Sequence, residues 1–533
     1  MFQVAVHPLV SIMTKRSGDE KEVTDMKRSK GGKHHSFVWY RSDLRCKDNR
    51  ALSQALSYNG TADGVIAVYI ISKAEWIRHD WGAVKVDFIK RNLLSLQSSL
   101  QEEYNVPLLL LEVDHFERVP EELTKFAVEN DVSVVWFNNE PEWDESRRDE
   151  AVEKALADSN ILCRRFEEQC IVNPGLVLTK ESKPYSVFTP FKNTWLAHIE
   201  ASPIVLESDP IRQTANVSIK PSDIQTVFSK LPKELQFQDE ELKNRIAEMW
   251  PAGEAEAHKR LDEFAKLRIR NYKESRDFPH LNNGTSSLSP YLAQGVISAR
   301  TCFLRAKLEN HGKTSSGSEG VCVWISELCW RDFYRHILHH FPRVARGKPF
   351  KIESDQVEWR YPKVDPKAQE DFDRWCRGFT GFPIVDAAMR QMNSTGWMHN
   401  RLRMIVSSFL TKDLLIDWRC GEKYFMQKLI DGDFASNNGG WQWSASTGTD
   451  SQPYFRVFNP KSQSERFDPS GEFIRKWLPE LKGLPTETLH EPIGKVNASK
   501  LRSFGYCEPM VDHAKARIKT IEAFKKVYSS LKK

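Results

Sequence analysis

The stretch Phe37-Val38-Trp39-Tyr40-Arg41-Ser42-Asp43-Leu44-Arg45 decides the fold. Its first five residues form a short apolar and aromatic run of strand length. Similar runs follow at 64–71, 106–113 and 132–137, and a fifth strand is expected around 162–166. Between them lie segments with helical spacing at 84–101 and 119–129, the second ended by the breaker pair Asn130-Asp131. Strand and helix alternating in this order predict a Rossmann-like α/β domain over 37–168, a parallel sheet with helices on both faces. The turn after the first run carries no Gly-x-Gly-x-x-Gly. Every position there has a side chain, which keeps a pyrophosphate away from the backbone. This domain is therefore not expected to take a dinucleotide in the usual manner.

On the N-terminal side, residues 1–36 are rich in Lys, Ser, Gly and acidic groups without periodicity and read as a disordered basic tail. Within it, Lys15-Arg16 and Lys27-Arg28-Ser29-Lys30 resemble a bipartite nuclear import signal over 15–30. A plain solvated tail has the same composition. With Met13 as a second start, a mitochondrial address beside the nuclear one stays open. On the C-terminal side, residues 169–250 read as a long connector with a few short helices. From 251 to 533 the pattern is helical and aromatic, so the second domain is expected to be all-α.

The net charge of +5 is small for 533 residues, and the tail holds seven Lys/Arg against four Asp/Glu. Any nucleic-acid contact must come from a local patch. No apolar run reaches membrane-spanning length. The nine cysteines include no CxxC pair, and no secretory signal is expected, so they read as reduced thiols of an intracellular protein. No nucleophile elbow, Walker loop or metal-ligand cluster appears, so hydrolysis and metal chemistry are not expected.

Four constellations could carry chemistry. Gly284-Thr285-Ser286-Ser287-Leu288-Ser289 groups four hydroxyls ahead of a helix, suited to an anion or equally to capping. In Trp324-Ile325-Ser326-Glu327-Leu328-Cys329-Trp330-Arg331, a carboxyl, an indole and a guanidinium share one helical face, which fits a flat heterocycle or an i,i+4 ion pair between Glu327 and Arg331. Gly396-Trp397-Met398-His399-Asn400-Arg401-Leu402-Arg403-Met404 puts Asn400 and Met404 on one face, with Arg401 free for a phosphate and Arg403 for a carboxylate. The fourth, running from Asp431-Gly432-Asp433 through Asn437-Asn438-Gly439-Gly440 to Trp441-Gln442-Trp443, lets a ligand edge approach the backbone closely; its two aspartates, without a nearby histidine, are poor metal ligands.

These motifs, in this order and spacing, resemble the photolyase/cryptochrome family across roughly 37–520, most closely its class I cyclobutane-dimer photolyases. The resemblance implies an antenna domain, a connector and a helical domain holding a U-shaped FAD, fully reduced in the active form. By motif, Tyr272 with Thr285, Ser286, Ser287, Leu288 and Ser289 would cradle the FAD phosphates and ribose. Trp324, Glu327, Arg331, Asn400, Arg403, Asp431, Gly432 and Asp433 would line its rings, and Asn437 would face the flavin N5. Trp330 and Trp443 resemble the indoles that pack against a flipped pyrimidine dimer, with Glu327 on its base edges and Asn400 and Met404 completing the pocket. Arg276, Arg331, Arg401 and Arg456 match phosphate-gripping positions. Trp441, Trp418 and Trp359 match the electron-relay tryptophans.

The implied activity is light-driven electron transfer from excited reduced FAD to a cyclobutane dimer in UV-damaged DNA, by a monomer with no membrane partner. Asn400 and Met404 stand where (6-4) photolyases place histidines. Asn437 and the absence of a long tail favour repair over a photoreceptor; a plain nucleic-acid-binding module is a third alternative. His79, Asp144 and Glu145 lie where folate-binding members hold methenyltetrahydrofolate. Asp144 stands where Asn is expected and the surroundings of Ala345-Arg346 differ, so a deazaflavin antenna, or none, stays open.

Overall fold

The computed structural model describes residues 34–58 and 63–530. Five strands, β1 (His35–Tyr40), β2 (Val65–Ile71), β3 (Leu108–Glu112), β4 (Val132–Asn138) and β5 (Leu162–Phe166), form one parallel sheet in the order β3-β2-β1-β4-β5. β1 is central, pairing Phe37 with Ile66 on one side and with Val135 on the other. A strand flanked on both edges and covered on both faces must be apolar throughout, which is why 37–40 shows no polar alternation. The period of two still assigns the faces. Phe37 and Trp39 pack with Ile66, Val68, Val135 and the helices Val119–Glu129 and Trp143–Asp158. Val38 and Tyr40 point the other way, into a core that runs without interruption into the helical body.

The strand order reverses between β1 and β4. In open α/β sheets this places a crevice beyond the carboxyl ends of those two strands. The sequence lacks the glycine fingerprint, yet the crevice is present.

The connector carries a helix that packs into the main core. Its helix Phe188–Ala201 buries Phe188, Phe191, Trp195 and Ile199. Trp195 donates its indole N–H to Asp332 of the helix Glu319–His340 (3.0 Å), and Phe191 packs on Phe333 of the same helix. This apolar stripe at helical spacing was masked by the Pro-, Ser- and Lys-rich flanks around it. Residues 169–187 and 203–223 form no helix or strand. A buried network of Arg45, Asp48, Glu168 and Arg300 also ties the sheet to the helical body.

A second core cluster holds the C-terminal helices and includes Trp359, Trp375, Trp418 and Trp441. All nine cysteines are unpaired. Among the described residues, no helix is long and apolar enough to cross a membrane and no cluster could hold a metal ion. The two basic clusters of the expected import signal lie outside the described residues.

Candidate functional site

The helix Glu319–His340 presents Trp324, Glu327 and Trp330 along one side. Trp324 is buried against Phe264, whose ring also takes the edge of Tyr272. Glu327 and Trp330 are only partly buried. Glu327 does not pair with Arg331. It accepts from Arg276 at 2.5 Å, while Arg331 leaves in another direction and donates to the carbonyl of Gln169. The structure thus separates Arg331 from the groups it was expected to join. Helical spacing fixes where a Cβ sits, and a long guanidinium then follows the best acceptor.

Beyond Arg276, Arg401 pairs with Asp277 at 2.9 Å and lies over the ring of Phe467. The helix Asn400–Ser408 starts with an unusual cap, in which Nδ1 of buried His399 accepts the N–H of Arg401 at 3.2 Å. The helix then exposes Asn400 beside Met404, whose sulfur lies 3.9 Å from the Asn400 amide nitrogen. Arg403 donates to both oxygens of Asp431, at 2.7 and 3.0 Å, and to the carbonyl of Met398. The expectation of a carboxylate partner for Arg403 is met by Asp431 itself.

Asp433 caps the helix Phe434–Ala445 by accepting the N–H of Ser436 at 2.8 Å, and it also pairs with Arg335. That pairing turns the Asp433 side chain, like Arg331, toward the interdomain crevice. Asn437 donates to the carbonyl of Glu422 at 3.0 Å, and Asn438 donates to the Glu422 carboxylate at 2.7 Å. Burial raises the Glu422 carboxyl to about 7. Sequence reasoning missed this residue. Its signal was a carboxylate in a helix next to the apolar Tyr424-Phe425. Three residues past Asn437, a Cβ at Gly440 would meet no atom within 4 Å, so bare backbone faces open space there.

Around 284–289, Ser287 takes a left-handed conformation (φ 54) and Ser289 accepts the indole N–H of Trp397 at 3.1 Å. Leu288 is fully buried. The helix that follows, Ser289–Ala293, is one short turn. Of the three tryptophans expected to form a relay, Trp441 packs edge-on against Phe425 (4.9 Å) and Trp375 (6.1 Å). Gly421 makes this packing possible, since a Cβ there would lie 2.1 Å from the Trp441 ring. Trp418 is completely buried, and Trp359 packs edge-on against Phe524 at 5.8 Å. Trp443 is partly buried beside Phe458, and Arg456 lies 6.0 Å from the same ring.

The crevice at the strand-order reversal is a cavity of about 470 Å³ between the sheet and the helical body. Trp39, Arg41, Ser42 and Glu140 form its inner end, and His79, Trp143, Asp144 and Glu145 its outer end. The structure brings the three predicted antenna residues together: His79 lies 3.2 Å from Asp144 and 3.3 Å from Glu145. Burial opposes charge on His79, but the Glu145 and Asp144 carboxylates outweigh it and raise the imidazole. Lys85 reaches in from the helix Ala83–Tyr104, donates to the Gly432 carbonyl at 2.9 Å, and sits 3.7 Å above the Trp81 ring. Burial lowers this amine to about 8. Burial, with Glu145 and Glu140 nearby, lifts Glu142 to about 8; burial acts on Glu140 too, but Arg148 and Arg41 bring it down to about 2. Such opposed environments in one cleft are typical of ligand sites. The clearest sequence sign was Lys85 on an otherwise apolar stripe.

Two family models match the chain: DNA photolyase over residues 36–211, and the FAD binding domain of DNA photolyase over 324–526. A Vibrio cholerae deoxyribodipyrimidine photo-lyase is 42% identical over 492 residues, covering 92% of this chain and 99% of that protein. A bacterial class III photolyase from Agrobacterium tumefaciens superposes with a TM-score of 0.81 at 35% identity, covering 94% of this chain and 99% of that one. An archaeal photolyase from Sulfolobus tokodaii, solved with two FAD molecules, gives 0.73 at 29% identity, covering 92% and 100%.

Proposed function

The chain belongs to the DNA photolyase family, and on that premise we propose how its residues carry out the light-driven repair of cyclobutane pyrimidine dimers. It is a deoxyribodipyrimidine photo-lyase with an FAD-binding helical domain, acting on UV-damaged DNA. The observation that carries the residue assignment is the packing of the helices that bear Arg403, Asn437 and the Trp330–Glu327 face, the helix Phe434–Ala445 lying against both of the others.

The residues present fit FAD. Bare backbone at Gly440 opens beside Asn437, the Arg403–Asp431 pair offers fixed charge to a ring edge, and hydroxyls at Thr285, Ser286, Ser287 and Ser289 suit the phosphates. When bound, reduced FAD supplies the light-excited electron that opens the dimer. The protein orients and shields. Asn437, anchored on the Glu422 carbonyl, would meet the flavin N5. Arg403 stays oriented because Met398 and Asp431 fix it from two sides.

Trp330 and Trp443 would stack a flipped dimer, whose poor pairing makes extrusion less costly than for normal bases. Asn400 and Met404 would complete the pocket, and Glu327 would accept base N–H groups once Arg276 turns to phosphate. Arg401 and Arg456 would grip neighbouring phosphates, which positions the strand without reading sequence. Trp441, Trp418 and Trp359 would relay electrons inward to reduce oxidised flavin.

His79, Asp144 and Glu145 support methenyltetrahydrofolate at the outer end of the cavity; a deazaflavin would sit deeper, toward Trp39. Adding each chromophore to purified protein and following sensitised flavin emission separates the two. The protein works as a monomer, and the basic clusters at 15–16 and 27–30 direct it to the nucleus, with a mitochondrial address as the alternative. A fluorescent fusion lacking residues 1–36 tests the address.

The test of function is light-dependent repair of a thymine-dimer oligonucleotide by reduced holoprotein, with a (6-4) lesion as control. Repair of the dimer alone is expected. Repair of the (6-4) lesion would sink the reading of Asn400 and Met404, and repair of neither would move the protein to the photoreceptors.

A further inference from the structure

We infer that Phe188, at the point where the connector enters the helical body, is a positioning residue for the lesion-binding slot: it backs Trp330 and, through its N–H, anchors the loop behind Trp443. This rests on the reading of Trp330 and Trp443 as the stacking indoles.

The Phe188 and Trp330 rings lie 3.6 Å apart between centroids at 8°, the shortest ring separation among the described residues. Phe188 is itself buried and held edge-on by Phe333 at 5.7 Å; Phe333 also meets Trp330 edge-on at 5.6 Å. The three rings make a closed triangle in which Trp330 has one face covered. Its partial exposure leaves the remaining surface for a flat ligand. An indole free to change rotamer would lose that freedom on stacking a base, whereas a clamped one has already lost it during folding.

The same segment holds the second indole's loop. The Phe188 N–H donates to the Asp450 carboxylate at 3.2 Å, and the Thr449 hydroxyl donates to the Ser186 carbonyl at 2.7 Å. From the other side, Lys351 donates its backbone N–H to the Thr447 carbonyl and its amine to the Ser451 hydroxyl. Asp450 sits at φ 44 and Ser446 at φ 64, left-handed conformations that non-glycine residues adopt only when surroundings enforce them. This loop begins at Ser446, three residues after Trp443 and just past the end of its helix. One short segment therefore touches the supports of both walls of the slot.

The experiment measures affinity of flavin-loaded Phe188→Leu, Phe188→Tyr, Trp330→Ala and the Phe188→Leu/Trp330→Ala double variant for a thymine-dimer oligonucleotide and its undamaged twin. Phe188→Leu should bind the dimer about three- to tenfold more weakly, with affinity for undamaged DNA held, and Phe188→Tyr should restore it. If Phe188 acts through Trp330, the double variant binds no worse than Trp330→Ala alone. Asp450→Asn, which leaves the aromatic core intact, should lose about twofold. Losses that multiply in the double variant, or wild-type affinity in both Phe188→Leu and Asp450→Asn while Trp330→Ala is impaired, overturn the inference. Wild-type affinity in Trp330→Ala overturns the reading of the pocket itself, and this inference with it.

Discussion

Replacing His399 by Asn should remove a large part of the protein's sensitivity to acid. His399 caps the helix that carries Asn400, Arg403 and Met404, and its Nδ1 can accept the Arg401 N–H only while the ring is neutral there. The ring is 3% exposed, and burial pushes it down to about 4; Asp277 opposes this, while Arg401, Arg403 and Arg276 add to it. In the unfolded chain the ring returns to an ordinary value near 6.5. A base with a depressed folded value contributes stability that is complete above about 6.5 and is lost as pH falls toward 4. Between those limits the unfolded state holds more protons. From 6.5 to about 4 the full swing is ~3 kcal/mol, of which ~2 kcal/mol is already lost at pH 5. Asn caps helices well and does not titrate in this range. Urea unfolding of holoprotein and of His399→Asn at pH 8 and pH 5, with amide exchange at Arg401 as a local readout, measures the difference. The variant should lose about 2 kcal/mol less than wild type over that interval. Parallel losses, with equal exchange at Arg401, would refute the cap argument. His336 and His340, also lowered to about 4 chiefly by burial, titrate in both proteins and cancel.

Trp359→Phe should slow photoreduction of oxidised flavin while chemical reduction restores normal dimer repair; normal photoreduction would remove Trp359 from the relay. Asp431→Asn leaves Arg403 without its buried carboxylate partner and should weaken FAD retention by about 1–3 kcal/mol, read as flavin lost on gel filtration. Arg401→Ala should reduce the salt dependence of DNA binding by about one phosphate's worth of slope, whatever the sequence bound. An unchanged slope would mean that Arg401 serves only Asp277 and Phe467.

Much of the molecule was legible because its signals are local. Strands β1 to β4 announce themselves as short apolar runs, and the helix Val119–Glu129 ends where the Asn130-Asp131 breaker places it; strand β5, Leu-Cys-Arg-Arg-Phe, falls where the alternation of strand and helix calls for it. The site motifs were equally readable, since a helix carries Trp324, Glu327 and Trp330 to one side by geometry alone. What sequence spacing could not decide was the direction of long side chains and the partners brought in from afar. Arg331 left Glu327 for Gln169, and Asp433 turned to Arg335, because the best acceptor or donor lay more than ninety residues away in sequence. The cavity beside β1 and β4 arises from strand order rather than from any glycine motif. Glu422 and Phe188 matter only through what lies against them: a pair of asparagine amides and an indole face. A residue's type and period are written in the chain, but the burial and electrostatic field that give it a role exist only once distant segments pack together.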